Sequence, residues 1–240
     1  MLENIEATWY LFQEYYHAFT TILRSLTMPK YVTEFIGTFF LVLTISLCVI
    51  SQQPLAPLAI GGTLMVMIFM GGHISGAHYN PAVSLAAFLR GALPAGEVLP
   101  YMFVQIIAAI VGSLVGNFIA GGSVAIAPGE GVSVVSALLV EILYTFALAL
   151  TVLNVATAKG TKNNSFYGLA IGFVIVCAVF AGGGISGGAF NPAVGIGLSV
   201  GAFVSGTGGG WAWLYVVGPL IGGALAAGAF KLQANDDITD

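Results

Sequence analysis

Residues 71–83 read GGHISGAHYNPAV, and residues 182–194 read GGGISGGAFNPAV. Nine of the thirteen positions agree, at an offset of 111 residues. A match of that density over an intact Asn-Pro-Ala-Val marks an internal repeat and fixes the period on which the rest of the chain is read. Two further echoes widen it. Glu34-x-x-x-Thr38-Phe39 returns as Glu141-x-x-x-Thr145-Phe146 at an offset of 107, and the small-residue pair Gly112/Gly116 is matched with Gly218/Gly222. The stretch 31–231 is thus two copies of one unit.

Composition says where that unit lives. Of 240 residues only six are Lys or Arg and ten Asp or Glu, 7% charged, against 58% hydrophobic; the mean hydropathy is +0.98. A soluble domain covers itself with about 25% charged residues, so the chain belongs in a bilayer. Disorder, collagen and secreted disulfide scaffolds are excluded. Nucleic-acid binding is excluded too, because so few cations track no phosphate backbone. Cys48 and Cys177 lie in apolar runs and read as small buried hydrophobes. Glu3, Glu6 and Glu14 stand where a signal peptide would carry its basic and apolar regions.

A span needs about 20 apolar residues, and six stretches qualify: 31–51, 57–72, 97–120, 132–157, 167–182 and 211–231. The second and fifth are short and run into Gly-rich sequence. Arg24, Lys30, Arg90, Lys159, Lys162 and Lys231 all fall on one side if the N-terminus is cytoplasmic, whereas 52–56, 121–131 and 183–210 hold no Lys or Arg. The positive-inside rule then places both termini in the cytoplasm, without distinguishing a plasma membrane from a vacuolar one. Each repeat contains three spans, an odd number, so the second copy enters the membrane inverted. Interrupted segments at matching places in inverted halves point to a site near the bilayer midplane.

Asn80-Pro81-Ala82 and Asn191-Pro192-Ala193 supply that site. Asn is a preferred N-cap and Pro is favoured at the first helical position. Each motif therefore opens a helix of about ten residues and about 15 Å, half a membrane. Two such helices entering from opposite faces meet N-terminus to N-terminus, each end bearing roughly +0.5 of an elementary charge. With the side-chain oxygen spent on the cap, each Asn amide NH₂ is expected to face the gap. Neutral donors in a positive potential suit water or a small uncharged solute and repel protons and metal cations. Non-helical backbone at this depth must be buried or line a cavity, so Ile74-Ser75-Gly76 and Ile185-Ser186-Gly187 are expected to line the pore with their carbonyls.

These paired motifs, with Glu34, Gln105 and Glu141 in the spans, resemble the aquaporin (major intrinsic protein) family over about residues 31–231. GGISGGAFNPAVG and GHISGAHYNPAV are nearest in style to plant tonoplast-type members. The resemblance implies an all-α membrane fold of six transmembrane helices plus two re-entrant half-helices in an inverted repeat, and a homotetramer with one pore per protomer. It also implies a second constriction at Ile60, Val179, Gly188 and Val194. Strict water channels of the family carry an aromatic, a His, a small residue and an Arg there. Here Val194 replaces the Arg, and neither the His nor the aromatic is present. Four aliphatic or glycyl walls favour urea, ammonia, hydrogen peroxide and, at the wide limit, glycerol beside water, or a ring that dewets and slows water. Glycerol facilitators keep the Arg and follow it with Asp, where this chain has Gly195.

Glu34 and Glu141 are intramembrane carboxylates. Such groups are functional by default, as a proton relay or as acceptors for the backbone donors of the re-entrant loops. Their symmetry favours the second, and Gln105, His73 and His78 are placed with them as loop support; a pH gate at the His residues is the alternative. No ligand set accompanies them, so neither metal nor cofactor is expected, and no nucleophile–base constellation suggests an enzyme. Leu2, Ile5, Trp9, Phe12, Tyr16, Phe19, Leu23 and Leu26 alternate spacings of three and four. They form one face of an amphipathic helix lying in the interface or capping the pore mouth.

The domain reading is an N-terminal arm (1–30), a channel domain (31–231, repeats 31–120 and 132–231) and a tail (232–240). The function reading is a passive channel for water and small uncharged solutes that excludes ions and protons. An ion-coupled secondary transporter and a low-flux junction protein stand as alternatives.

Overall fold

The computed structural model describes residues 28–233 together with Trp9, Phe12, Gln13, Tyr15 and Tyr16. Among these are eight α-helices and no strands: α1 (Met28–Ile50), α2 (Ala56–Ser75), α3 (Pro81–Arg90), α4 (Ala95–Ala120), α5 (Val134–Val152), α6 (Tyr167–Ser186), α7 (Pro192–Val204) and α8 (Ala212–Gln233). Six are long and apolar enough to cross a membrane, α5 together with the π turn Leu153–Thr157 that continues it. The other two, α3 and α7, have 10 and 13 residues, about 15–20 Å of helix. They are half-membrane elements.

Local chemistry sets these ends. Asn80 and Asn191 are extended (φ −159° and −162°), and each side chain accepts from the backbone N–H two residues on. Pro81 and Pro192 then begin the helices with a fixed φ and no N–H to leave unpaired. The second and fifth spans run further than their sequence suggests, to Ser75 and Ser186 rather than 72 and 182. They stop at Gly76 and Gly187, which are left-handed (φ 85° and 93°), a conformation that glycine adopts without steric cost.

The repeats interlock. Helix α1 packs on α4 and α2, α5 packs on α8 and α6, and α2 meets α6 across the pseudo-two-fold. Each half-helix lies against the closing span of the opposite half, α3 on α8 and α7 on α4. Glycines permit these approaches: a Cβ added at Gly223 would sit 2.5 Å from Ala82 O, and one at Gly197 would sit 2.7 Å from the Ala109 backbone. The small-residue echo needs correcting. Gly112 faces Phe39 O and Leu43 N, whereas Gly222 faces Ile142 O and Phe146 N, one turn earlier along the equivalent helix. The counterpart of Gly222 in the first repeat is therefore Ala108, and Tyr101 corresponds to Tyr215, at an offset of 114 in place of the 106 relating Gly112 to Gly218. Small residues recur often enough along α4 and α8 that spacing alone permitted the slip.

The outer surface is apolar, with Leu99, Phe103, Phe118 and Leu143 exposed, as hydrocarbon requires. Cys177 belongs to that surface and Cys48 is half-buried; neither is the buried hydrophobe expected, since both lie on outward-turned helix faces. In the N-terminal arm Trp9 stacks on Phe12 and Phe12 on Tyr16, with centroids 5.9 and 6.4 Å apart. Leu2, Ile5, Phe19, Leu23 and Leu26, like 234–240 of the tail, lie outside the described residues.

Candidate pore and its supporting loops

Two loops hold the site, and each hangs on a carboxylate. Glu34 in α1 is fully buried and accepts from Ser75 Oγ (2.7 Å), His78 N (2.9 Å), Tyr79 N (2.7 Å) and Gln105 Nε2 (2.8 Å). Glu141 in α5, equally buried, accepts from Ser186 Oγ (2.7 Å), Ala189 N (3.1 Å) and Phe190 N (2.7 Å). These anchors hold a backbone that non-glycyl residues rarely adopt, with Ala77, Tyr79 and Phe190 at φ 50°, 49° and 50°. Such conformations persist only where the surroundings over-determine them. Gln105 has no counterpart in the second half, because the 114-residue offset places Pro219 there.

The loops finish against one another. Asn80 Nδ2 donates to Phe190 O (2.9 Å) and Asn191 Nδ2 to Tyr79 O (2.8 Å). Both NH₂ groups were expected to face the gap undivided; instead one N–H of each staples the opposite loop. The second N–H of each amide has no protein partner among the described residues, and both Asn residues line a cavity of about 230 Å³. Replacing Asn191 with Ala removes an N-cap worth about 0.5–2 kcal/mol and one staple. We expect a lower thermal midpoint in detergent, read by intrinsic fluorescence, with a smaller drop for Asn191→Asp, which keeps the cap.

Ile60, Val179, Gly188 and Val194 line the same cavity as the two Asn residues. Ile60 and Val194 are 5% and 2% exposed. Ala127 from the connector before α5 joins them, its segment tied down by Gly129 N donating to Ile185 O (3.0 Å). Below the Asn pair, Ile68, His78, Val152 and Ile171 line both this cavity and a second, wider one of about 830 Å³, so the two meet there. Sequence reasoning missed this lower ring, although the signal was present. Adding 111 to Ile60 gives Ile171, and subtracting 111 from Val179 gives Ile68: the lower ring is in part the repeat's image of the upper one.

Three expected placements fail. The carbonyls of Ser75 and Ser186 do not face the pore but accept from the Tyr101 hydroxyl (2.8 Å) and the Tyr215 hydroxyl (2.6 Å). Ile74 and Ile185 are still helical and turn outward, 44% and 38% exposed, so the lining moves on to Ala77–Tyr79 and Gly187–Phe190. Ser75 and Gly76 reach only the wider cavity. His73 supports no loop, because it sits in the last turn of α2, exposed in that wider cavity. His78 does support one: its Nδ1 is 3.1 Å from Ser84 Oγ, which also accepts from Gln105 Nε2 (3.0 Å).

A multi-pass membrane protein with two antiparallel half-helices capped at a shared central cavity is what this fold and site define. The sequence profile of the major intrinsic protein family matches residues 21–230. A glycerol uptake facilitator-like protein of Lactiplantibacillus plantarum is 34% identical over 219 residues, 88% of this chain and all of the relative. Aquaporin TIP1-1 of Arabidopsis thaliana is 39% identical over 170 residues, 68% of this chain and 64% of that one. The X-ray structure of the aquaglyceroporin from Plasmodium falciparum superposes with a TM-score of 0.74 at 21% identity, covering 85% of this chain and 95% of that chain. The chain belongs to the major intrinsic protein family, passive membrane channels for water and small solutes.

Proposed function

We propose that the chain is a broad-selectivity pore for water, urea, ammonia, hydrogen peroxide and glycerol that excludes ions and protons. The observation that carries this reading is the ring of Ile60, Val179, Gly188 and Val194 on the cavity that holds Asn80 and Asn191. It offers no guanidinium and no imidazole, the groups that would narrow it and select strongly hydrated species. Exclusion of cations rests on the two half-helix N-termini, whose dipoles converge where the Asn amides point. The Lys and Arg distribution supports cytoplasmic termini and hence a wide cytoplasmic vestibule. Membership of the major intrinsic protein family supports assembly into a homotetramer.

Stopped-flow light scattering on proteoliposomes tests the reading. Wild type should pass water and urea faster than bare lipid, without saturation and without dependence on a proton or sodium gradient. Val194→Arg puts a charged fork into a cavity of about 230 Å³ and should cut urea entry by about tenfold or more while water entry persists, the equivalent of about 1.4 kcal/mol in barrier height. Urea entry indifferent to that substitution would move the constriction elsewhere, to the lower ring. Saturable, gradient-dependent flux would point to a transporter.

A further inference from the structure

The two repeats differ where α5 ends. Leu153–Thr157 form a π turn, in which backbone bonds close five residues on instead of four. At the offset of 107 that relates Glu34 to Glu141, the matching residues 46–50 are ordinary α-helix at the end of α1. Such turns are rare and occur frequently at functional sites. This one follows directly on Val152, the residue that α5 supplies to the lower ring.

Side chains hold the turn. Four of its five carbonyls accept from them: Leu153 O from Thr157 Oγ1 (2.6 Å), Asn154 O from Thr161 Oγ1, Val155 O from Asn164 Nδ2 (2.6 Å) and Thr157 O from Arg90 Nη2 (3.0 Å). Arg90 donates a second bond, from Nε to Thr157 Oγ1 (2.9 Å), and its guanidinium lies over the Phe230 ring at 5.2 Å. The end of α3 thereby clamps the end of α5 against α8. The clamp too is confined to one half, because the 111-residue offset carries Arg90 to Gly201.

Register decides which side chain lies below Val152. Leu148 and Val152 both line the pore cavity and mark the direction in which α5 faces it. In an unbroken α-helix, position 155 would stand about 40° to one side of that direction and position 156 about 60° to the other. A π turn rotates less per residue, which swings 156 toward the pore and 155 away from it. The side chains follow: Ala156 is exposed on the wider cavity, whereas Val155 is half-buried and packs against the core.

We propose that Arg90 is a positioning residue for solute passage: it holds the π turn, which keeps Ala156 below Val152 and draws the bulkier Val155 out of the path. Loss of the clamp lets 153–157 relax to α-helix, turns Val155 inward and narrows the way from the lower ring to the wider cavity. Larger solutes are slowed first, so the clamp acts on selectivity as well as rate. The effect on passage rests on the reading of the chain as a broad-selectivity pore; the change of register does not.

The test uses the full chain and two clamp variants. Arg90→Met keeps an apolar stem over Phe230, and Thr157→Val removes the hydroxyl at nearly constant volume; the second decides alone if the first gives no monodisperse protein. Register is read without flux, in detergent and in a Cys48→Ser, Cys177→Ser background, by the rate at which Val155→Cys and Ala156→Cys react with a charged methanethiosulfonate. With the clamp intact, Ala156→Cys should react about tenfold faster, since thiol reactivity follows exposure. Either clamp variant should bring the two rates together or invert them. In phosphatidylcholine proteoliposomes, urea entry should fall about tenfold in both clamp variants and water entry by less. Val155→Ala should restore urea entry in the Arg90→Met background by more than it raises wild-type entry. Labelling rates that neither clamp variant alters overturn the change of register. Altered labelling with unaltered urea entry, or a loss that Val155→Ala does not restore, overturns the effect on passage. Wild type that passes no urea counts against the pore reading instead, and the labelling still decides the clamp.

Discussion

Replacing Glu141 with Ala should abolish flux and leave little folded channel. The carboxylate is the acceptor for Ser186 Oγ, Ala189 N and Phe190 N, at a depth where no water can take over. An orphaned buried donor costs about 1–3 kcal/mol, and three are orphaned together. Phe190 also loses the bond that holds its backbone at φ 50°, so its carbonyl leaves the Asn80 amide and the staple opens. The measurement is monodisperse yield and thermal midpoint in detergent, with water entry in proteoliposomes. Glu141→Gln should fall between, keeping one acceptor oxygen but setting an NH₂ against a backbone N–H. Water entry at the wild-type rate in Glu141→Ala would show that the loop is held by something else.

The second large effect is expected at the crossing of α2 and α6. A Cβ at Gly172 would lie 2.6 Å from Gly61 O, and one at Gly61 would lie 2.5 Å from Gly172 O. In both cases the obstacle is backbone and cannot rotate away. Gly172→Ala must therefore push the helices apart, at a cost typical of overpacking, about 1–3 kcal/mol. Helix α2 carries Ile60 and Ile68, and α6 carries Ile171 and Val179, so the displacement reaches both rings of the pore. We expect a lower thermal midpoint and a changed ratio of urea to water entry. Gly62→Ala is the control, since nothing lies within 4 Å of its added Cβ; it should be neutral, or stabilising by up to about 1 kcal/mol from helix propensity. Equal effects at 62 and 172 would remove the crossing as the cause.

Much of this architecture was legible in residue patterns. The period of 111 and the caps at Asn80 and Asn191 predicted two inverted halves with half-length helices, because capping chemistry is local. The rest depended on tertiary contacts. Where the second and fifth spans end was misread, since glycines that look like breakers are there to admit packed side chains: an added Cβ at Gly71 would meet the Tyr79 hydroxyl, and one at Gly182 would sit 2.7 Å from Val140 Cγ1. That shift of three or four residues moved His73 and Ile74 off the loop and out of the pore. The staple between loops was illegible for a different reason. Both of its donors are Asn side chains already accounted for as caps, and its acceptors are backbone carbonyls that no sequence distinguishes.

The staple also bears on how the protein is made. Asn80 and Phe190 lie 110 residues apart in the chain. At roughly 5–20 residues per second, the first half-helix is synthesised about 5–20 s before its partner exists. Throughout that interval the Tyr79 carbonyl and the Asn80 amide sit at mid-bilayer depth without the groups that complete them. A ribosome that pauses between α4 and α7 prolongs that exposure, and one that hurries shortens it. Slower synthesis across residues 121–191 should therefore lower the yield while leaving the finished molecule unchanged.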